Sequence, residues 1–480
     1  MKVSIRKFAA TDIPNKVKWI NDPQNNVFLH YDLPLEEEKT RIWFEKNQYR
    51  TDRYDAVIEV DNAPVGLVGL LSIDRKNQNA EYYVMIGERE YLSKGVANRA
   101  TRQLLDYAFG ELGLNRVYLY TETENYAAIN SYERVGFCRE GVLKNDLFSK
   151  GRFVDRYIYA ITKKDYTHQM DTPIQKIATI GGNSMYIKRE DLIPFSFGGN
   201  KVRKALLFFE EIDRGDYDCV VTYGSSSSNH CRAVANMAAA RKKKCYIISP
   251  EEVSGRTYNS DLMDAFGAEI IMCPVSSVHE TIENILSALR KDGQKPFFIA
   301  GGGHGETGTQ AYVYCYQEVC RFEREHQIHF DYIFFASGTG TTQAGLVCGK
   351  LINCDNRQIV GISIARKNPR GRDIILESIR EYLKTNKVLV SERSIEEATI
   401  FLDDYTGSGY GNHGQEVDDV IKMVMTQYGV PLDSTYTGKA FAGMMDYMNR
   451  EEITGKNILF IHTGGTPLFF DYLDNWKKKI

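Results

Sequence analysis

The sequence predicts an α/β protein, and the clearest evidence lies in the second half of the chain. A strand-like run at 217–223 is followed by the polar loop Gly224-Ser225-Ser226-Ser227-Ser228-Asn229-His230 and then by a helical pattern. The same succession returns at 332–350, with a Gly/Thr loop in the middle. Strands followed by such loops and then by helices predict a parallel sheet with ligands at the carboxyl ends of its strands.

A polar stretch divides the chain into two parts. Residues 162–173 are polar and end in Pro173, a composition typical of a linker. Before it, strand patterns such as 54–60 and 80–86 alternate with helical patterns such as 99–109. At 480 residues the chain is too long for one ordinary core. We therefore expect separate domains at 1–165 and 166–480.

Composition excludes several functional classes. The net charge of -3 and the pI near 6.4 provide no basic field for nucleic acid or for an anionic membrane. The first residues contain no apolar run of signal-peptide length, and no run of about 18 apolar residues occurs. Nine cysteines without a Cys-x-x-Cys pair indicate reduced thiols, so we expect a cytoplasmic protein. His326 and His329 lie in a charged stretch that we interpret as a solvated helix end, and we expect no metal site.

Two motifs in the second half point to pyridoxal phosphate. Gly198-Gly199-Asn200-Lys201 places a lysine at the start of a helical pattern, and Ser337-Gly338-Thr339-Gly340-Thr341-Thr342 follows a buried strand. A pyridoxal phosphate enzyme needs a lysine that holds the cofactor aldehyde as an imine, and a loop that anchors its phosphate. Backbone amides and hydroxyls of a Gly/Thr loop suit the phosphate. Lys201 is therefore the predicted cofactor-bearing lysine.

These motifs belong to an ordered series. It runs through Ile187-Lys188-Arg189-Glu190-Asp191-Leu192, Ser228-Asn229-His230, the Gly/Thr loop, Asp433-Ser434-Thr435-Tyr436-Thr437-Gly438-Lys439-Ala440 and His462-Thr463-Gly464-Gly465-Thr466-Pro467. Over about 170–480 the series resembles the D-cysteine desulfhydrase and 1-aminocyclopropane-1-carboxylate deaminase family. That resemblance implies a two-subdomain, fold type II domain like the tryptophan synthase β subunit, and a homodimer formed through it.

The resemblance also implies a role for individual residues. Lys201 would carry the cofactor and move the Cα proton, and Ser228 would hold the substrate carboxylate or deliver a proton. Tyr410 and Tyr436 would flank the substrate as acid/base groups, and either Thr463 or Thr437 would face the pyridine nitrogen. The remaining cofactor contacts would come from Asn200, which precedes the lysine, from Asn229 beside the ring, and from Gly338, Thr339, Gly340, Thr341 and Thr342 around the phosphate.

The residue after Tyr436 helps to choose the reaction. The deaminase branch has Glu there, whereas this chain has Thr437, as the desulfhydrase branch does. A hydroxyl cannot keep the pyridine nitrogen protonated as a carboxylate would, which favours concerted elimination. We expect α,β-elimination from a small amino acid, D-cysteine first, giving pyruvate, ammonia and sulfide. The alternatives are β-replacement with acetylation of the new amine, or a lyase whose first half is a regulatory module that binds CoA.

The first half carries a different pair of motifs. Lys94-Gly95-Val96-Ala97-Asn98-Arg99-Ala100 opens a helical pattern after a strand, where small residues let backbone N–H groups approach a pyrophosphate. With the block from Asn125 to Phe137, residues 1–162 resemble the GNAT family of N-acetyltransferases.

That second resemblance implies an acetyl-CoA site. Gly95 and Ala97 would contact the pyrophosphate, and Asn125 would contact the CoA arm. Tyr132 would protonate the leaving thiolate as general acid, and Glu81 would act as base on the acceptor amine. Leu92 stands where the family usually has Gln or Arg, which weakens the expected pyrophosphate contact.

Overall fold

The computed structural model describes residues 1–167, 171–253, 255–407, 409 and 411–477. These residues belong to two compact units, Met1–Gln169 and Met170–Ile480. Both units combine helices with β-sheets, so the prediction of an α/β protein is confirmed. The first part of the predicted linker is helical, because Lys163–Thr167 forms a short helix.

The first unit is built around one mixed sheet. In its described residues, seven strands have the order β1-β2-β3-β4-β5-β7-β6, and neighbours are antiparallel except β4 and β5. Helix α3 buries Leu104 and Ala100 against one face, and α1 buries Trp19 on the other side. The elements are β1 (Val3–Lys7), α1 (Ile13–Asn21), α2 (Glu37–Asn47), β2 (Tyr54–Val60), β3 (Ala63–Asp74), β4 (Asn79–Ile86), α3 (Val96–Asp106), β5 (Arg116–Glu122), α4 (Tyr126–Val135), β6 (Cys138–Ser149), β7 (Arg152–Thr162) and α5 (Lys163–Thr167).

The parallel pair β4 and β5 separates partway along its length. The described register runs only from Asn79 opposite Arg116 to Glu81 opposite Tyr118. Both strands continue beyond this pairing, β4 to Ile86 and β5 to Glu122. The separation leaves a wedge in the sheet where strand backbone can meet a ligand instead of a neighbouring strand.

The second unit contains two sheets, which correspond to two subdomains. Its described strands form one sheet with the order β12-β11-β10-β13 and another with the order β16-β15-β14-β17-β9-β8. Both are parallel except for the antiparallel pair β8 and β9. The elements are β8 (Ile174–Ile180), β9 (Asn183–Arg189), α6 (Asn200–Arg214), β10 (Cys219–Tyr223), α7 (Asn229–Ala240), β11 (Lys244–Pro250), α8 (Tyr258–Ala265), β12 (Glu269–Cys273), α9 (Val278–Lys291), β13 (Pro296–Ile299), α10 (Glu306–His326), β14 (Tyr332–Ser337), α11 (Thr341–Ile352), β15 (Gln358–Ser363), α12 (Arg370–Thr385), α13 (Glu392–Ala398), β16 (Ile400–Leu402), α14 (Gln415–Tyr428), α15 (Thr437–Arg450), β17 (Asn457–His462) and α16 (Thr466–Lys477).

Two kinds of feature are absent from the described residues. Across these segments, no helix combines the length and the apolar character needed to cross a membrane. Within the same segments, no group of three or more His, Cys, Asp or Glu side chains is arranged to hold a metal ion.

Candidate functional site

The loops at the carboxyl ends of the parallel strands meet around the start of α6. Gly199 has φ 99°, and a Cβ added there would lie 2.8 Å from the Thr463 carbonyl oxygen. The Asn200 backbone N–H donates to that carbonyl at 2.9 Å. The loop before α6 and the loop after β17 are therefore in backbone contact, which places Lys201 close to Thr463.

Lys201 is half-buried among these loops. Its Nζ donates to the Gly302 carbonyl oxygen at 3.0 Å. Burial, with a smaller contribution from the Arg366 cation, lowers the pKa of Lys201 to about 8. A lysine with such a pKa has a substantial unprotonated fraction near neutral pH, and only the unprotonated amine attacks an aldehyde. The predicted cofactor-bearing lysine is therefore in a suitable electrostatic environment.

The Gly/Thr loop lies beside Lys201 and joins β14 to α11. The Asn200 side chain donates from Nδ2 to Thr342 Oγ1 at 3.1 Å, and Arg366 Nη1 donates to the Thr339 carbonyl oxygen at 3.1 Å. Gly340 has φ 103° and precedes the first residue of α11. The N–H groups of the first turn of a helix point at such a loop, where they favour an anion.

Lys204 is a candidate site residue that the sequence analysis did not identify. It is fully buried one turn after Lys201, and its Nζ donates to Thr341 Oγ1 at 2.6 Å. Burial and the neighbouring Lys201 cation hold the pKa of Lys204 well below its usual range. The signal was present in the motif, because residues three apart share a helix face.

The loop after β13 was missed as well. It contains Gly301, Gly302, Gly303, His304 and Gly305 directly after the strand. A Cβ added to Gly302 would lie 2.4 Å from Thr339 Cγ2, so this loop packs directly on the Gly/Thr loop. Burial, followed by Lys204 and Arg366, lowers the pKa of His304. The signal in the sequence was a glycine-rich run between a strand pattern and a helix pattern.

These side chains fit pyridoxal phosphate. Lys201, Lys204, Arg366 and His304 surround the Gly/Thr loop, and burial together with neighbouring cations lowers the pKa of each. A phosphate dianion among these groups would replace mutual repulsion by attraction. When the cofactor is bound, the Gly/Thr loop and Lys204 would hold its phosphate and Lys201 would hold its aldehyde carbon.

The loop after β10 presents Ser228 and Asn229. Ser228 caps α7, and its Oγ accepts a hydrogen bond from the Cys231 N–H at 3.2 Å. Asn259 is fully buried, and its Nδ2 donates to Asn229 Oδ1 at 3.0 Å and to the Ser227 carbonyl oxygen at 2.9 Å. The bond to Oδ1 directs the donor nitrogen of the Asn229 amide away from Asn259. Asn259 was not identified from the sequence.

Tyr436 and Thr437 lie at the start of α15 and are ordered by Asp433. Asp433 accepts hydrogen bonds from the N–H groups of Tyr436 and Thr437, at 2.7 and 3.1 Å. The Thr437 hydroxyl donates to Asp433 Oδ2 at 2.7 Å and accepts from the Asp433 N–H at 2.8 Å. Its one donor is therefore already used, which favours Thr463 as the hydroxyl facing the pyridine nitrogen. Tyr410 lies outside the described residues.

A buried ionic network supports α6 on the side away from the site. Arg203 donates to Glu318 Oε1 at 2.8 Å and to Glu190 Oε1 at 2.8 Å, and Lys188 Nζ donates to Glu318 Oε2 at 2.8 Å. All four residues are less than 5% exposed. The two cations and two carboxylates balance, which is the condition under which buried charges are tolerated.

In the first unit, the predicted CoA contacts lie around the wedge between β4 and β5. Gly95, with φ 71°, precedes the first residue of α3, and Ala97 lies in its first turn. Asn125 caps α4, and its side chain accepts from the Ala128 N–H at 3.3 Å. Leu92 is 43% exposed.

The two predicted acid/base groups of the first unit also have suitable surroundings. Tyr132 packs among the rings of Tyr82, Phe137 and Tyr159, with centroid distances of 6.0, 6.1 and 6.5 Å. Burial raises the pKa of Tyr132 to about 12, so its hydroxyl is protonated and available as an acid. Burial raises the pKa of Glu81, which lies at the last paired position of β4.

Comparison with known proteins identifies both parts of the chain. Residues 166–464 match the model of the pyridoxal-phosphate dependent enzymes, and residues 2–138 match that of the GNAT acetyltransferase domain. Over 314 residues the chain is 31% identical to a D-cysteine desulfhydrase of Serratia proteamaculans, which covers 63% of this chain and 93% of that protein.

Two further relatives come from the deaminase side. A protein of Pyrococcus abyssi with the provisional name 1-aminocyclopropane-1-carboxylate deaminase is 33% identical over 310 residues, covering 63% of this chain and 91% of that protein. The crystal structure of an ACC deaminase homologue has a TM-score of 0.58 and 32% identity, covering 64% of this chain and 94% of the other. The chain therefore belongs to the pyridoxal-phosphate dependent enzymes, with the fold of the D-cysteine desulfhydrase and ACC deaminase group, and it carries a GNAT acetyltransferase domain in its first unit.

Proposed function

We propose that the second unit catalyses α,β-elimination from a small amino acid with a β leaving group, D-cysteine first, giving pyruvate, ammonia and sulfide. The observation that carries this proposal is the Lys201 amine, with its pKa near 8, beside a phosphate-binding arrangement of Lys204 and the Gly/Thr loop. An amine and an anion site in this relation suit a cofactor with an aldehyde and a phosphate.

The chain's own residues would divide the work. Pyridoxal phosphate, when bound, holds the substrate amino group and withdraws electrons from Cα. The Lys201 amine would remove the Cα proton, and Ser228 would hold the substrate carboxylate or deliver a proton. Tyr436 and Tyr410 would flank the substrate, where a tyrosine hydroxyl can protonate the departing sulfur.

Thr437 supports the choice of elimination over cyclopropane opening. Its hydroxyl is engaged with Asp433, and the hydroxyl of Thr463 would then face the pyridine nitrogen. A hydroxyl at that point leaves the nitrogen unprotonated, which weakens electron withdrawal and favours removal of the proton and the thiolate together.

The test compares leaving groups. Purified protein loaded with pyridoxal phosphate is incubated with D-cysteine, L-cysteine and 1-aminocyclopropane-1-carboxylate, and sulfide, ammonia and the keto acid are measured. We expect sulfide and pyruvate in equal amounts from D-cysteine, and almost no product from the cyclopropane amino acid. Faster turnover of the cyclopropane amino acid would refute the assignment.

We propose that the first unit transfers an acetyl group from acetyl-CoA to an amine. Gly95, Ala97 and Asn125 would contact the CoA, Tyr132 would protonate the departing thiolate, and Glu81 would accept the amine proton. Release of free CoA thiol from acetyl-CoA, measured with a panel of amines, tests this proposal. Binding of acetyl-CoA without any transfer would instead indicate a regulatory module.

We also propose that the domains 1–165 and 166–480 are independent modules and that the second forms a homodimer. Each carries its own motifs, so fragments 1–165 and 170–480 expressed separately should fold and keep most of their own activity. Assays of the fragments, alone and mixed, together with light scattering on fragment 170–480, test both points. Loss of cofactor binding by the isolated second fragment would contradict independence, and a monomeric mass would exclude the dimer.

A further inference from the structure

Glu122 is a buried carboxylate, and one of its two oxygens lacks a hydrogen bond among the described residues. It is the last residue of β5, its side chain is 8% exposed, and its Oε1 has no hydrogen-bond partner within the described part of the chain. A buried carboxylate without a partner is costly, so such groups are normally paired. An unpaired one is a candidate binding group for a cation.

The arginine opposite Glu122 is directed elsewhere. Arg156 lies directly opposite Glu122 in the β5 and β7 register, on the same face of the sheet. Its Nε donates to Asp146 Oδ2 at 2.6 Å, and its guanidinium lies 4.7 Å from the centroid of the Tyr120 ring. His30 Nε2 is 3.4 Å from Glu122 Oε1, a contact without hydrogen-bond geometry. Burial lowers the pKa of His30, so this imidazole is neutral at pH 7.

Glu122 also lies at the proposed acetyl-transfer site. Side chains alternate along a strand, so Glu122, Tyr120 and Tyr118 share one face of β5, and Glu81 pairs with Tyr118 on that same face. Glu122 lies four positions after Tyr118, which corresponds to roughly 13 Å along the strand. The backbone N–H of Asn125 donates to the Glu122 carbonyl oxygen at 3.0 Å. Glu122 therefore lies beside the wedge, where α4 begins.

We propose that Glu122 binds a positively charged group of the acetyl acceptor, at a distance from the amine that reacts. The proposal rests on the acetyltransferase function proposed above. A carboxylate forms a charge-assisted hydrogen bond with an ammonium group, so a second amine of the acceptor is the cation that suits Glu122. A charge-assisted hydrogen bond to the acceptor would compensate the Glu122 carboxylate and select acceptors that carry a second positive charge.

The experiment uses the full chain loaded with pyridoxal phosphate. Binding of 1,4-diaminobutane and of n-butylamine is measured by isothermal titration calorimetry with CoA present, and acetyl transfer is followed in parallel. Glu122→Gln should raise the Kd and KM for 1,4-diaminobutane by about tenfold or more, with kcat and the n-butylamine constants unchanged. Glu124→Gln is the matched control, because Glu124 is exposed and pairs with Arg152, and it should behave as the parent.

Each other outcome is decisive. No binding of 1,4-diaminobutane by the parent, or an unchanged Kd in Glu122→Gln, would overturn the proposal. An equal loss for n-butylamine would also overturn it, because Glu122 would then act on the reacting amine. Glu122→Asp keeps the charge and should lose less affinity than Glu122→Gln, whereas an equal loss would indicate damaged packing and overturn the proposal. Selective binding without acetyl transfer would support Glu122 and refute the acetyltransferase function alone.

Discussion

Replacing Lys204 with methionine should have opposite effects on the protein with and without cofactor. Lys204 Nζ donates to Thr341 Oγ1 at 2.6 Å at the start of α11, where we place the cofactor phosphate. Lys204→Met keeps the length of the side chain and removes a charge-assisted hydrogen bond, which contributes about 1.5–3 kcal/mol. We therefore expect the Kd for pyridoxal phosphate to rise roughly 10- to 150-fold.

The cofactor-free protein should instead become more stable. Burial and Lys201 lower the pKa of Lys204, so folding without the phosphate is opposed by the cost of burying or deprotonating this amine. The pKa of Lys204 is 10.5 in the unfolded chain and lower in the folded protein, so the unfolded chain binds more protons between these two pH values. The free energy of unfolding therefore decreases as the pH falls from 10.5 towards the folded pKa. At pH 7, Lys204→Met should raise the stability of the cofactor-free protein by about 1 kcal/mol or more.

Fluorescence titration with pyridoxal phosphate and thermal unfolding of the cofactor-free protein measure these two effects. Lys350→Met is the matched control, since Lys350 is also largely buried but lies in the last turn of α11. It should leave the Kd for the cofactor unchanged. An unchanged Kd in Lys204→Met, or a less stable cofactor-free variant, would refute the role given to Lys204.

Glu318→Gln leaves Glu190 as the one carboxylate of the buried ionic network that supports α6 and should lower the free energy of unfolding, measured in urea, by about 3–5 kcal/mol. The exposed Glu325→Gln is the control, and a urea midpoint of Glu318→Gln equal to that of the control would contradict the prediction. The initial rate of cofactor uptake should rise with pH around a midpoint of about 8, because the unprotonated Lys201 amine reacts; a rate independent of pH from 6 to 9 would contradict it. Tyr132→Phe should lower acetyl transfer roughly 100-fold or more without changing acetyl-CoA affinity, and equal turnover would remove Tyr132 from the mechanism.

The sequence predicted those parts of the structure that contiguous motifs specify. The strand at Tyr54–Val60 and the helix that begins at Thr341 lie where the periodicity predicted them. The helix expected at 99–109 begins earlier, at Val96, because Gly95 adopts φ 71° and precedes the first turn. The motif around Lys201 and the Gly/Thr loop were each recognisable as contiguous runs of sequence.

Residues that enter the site through tertiary contacts were not predictable in the same way. Arg366 reaches the site from a loop and Asn259 from the first turn of α8, and their local sequence shows no motif. The glycine-rich loop containing His304 had a recognisable pattern, but its contact with Thr339 depends on how the two sheets of the second unit pack. The choice between Thr437 and Thr463 depended on the hydrogen bonds of Asp433, which are a property of the folded chain.

Chemical trapping tests most directly whether Lys201 carries the cofactor. Protein loaded with pyridoxal phosphate is reduced with borohydride, digested, and examined by mass spectrometry for the modified lysine. The neighbouring Lys204, three residues away and in contact with the same loop, makes the assignment discriminating. We predict the modification on Lys201 alone, with its disappearance in Lys201→Ala. Modification of Lys204 or of any other lysine in the parent protein would contradict the assignment.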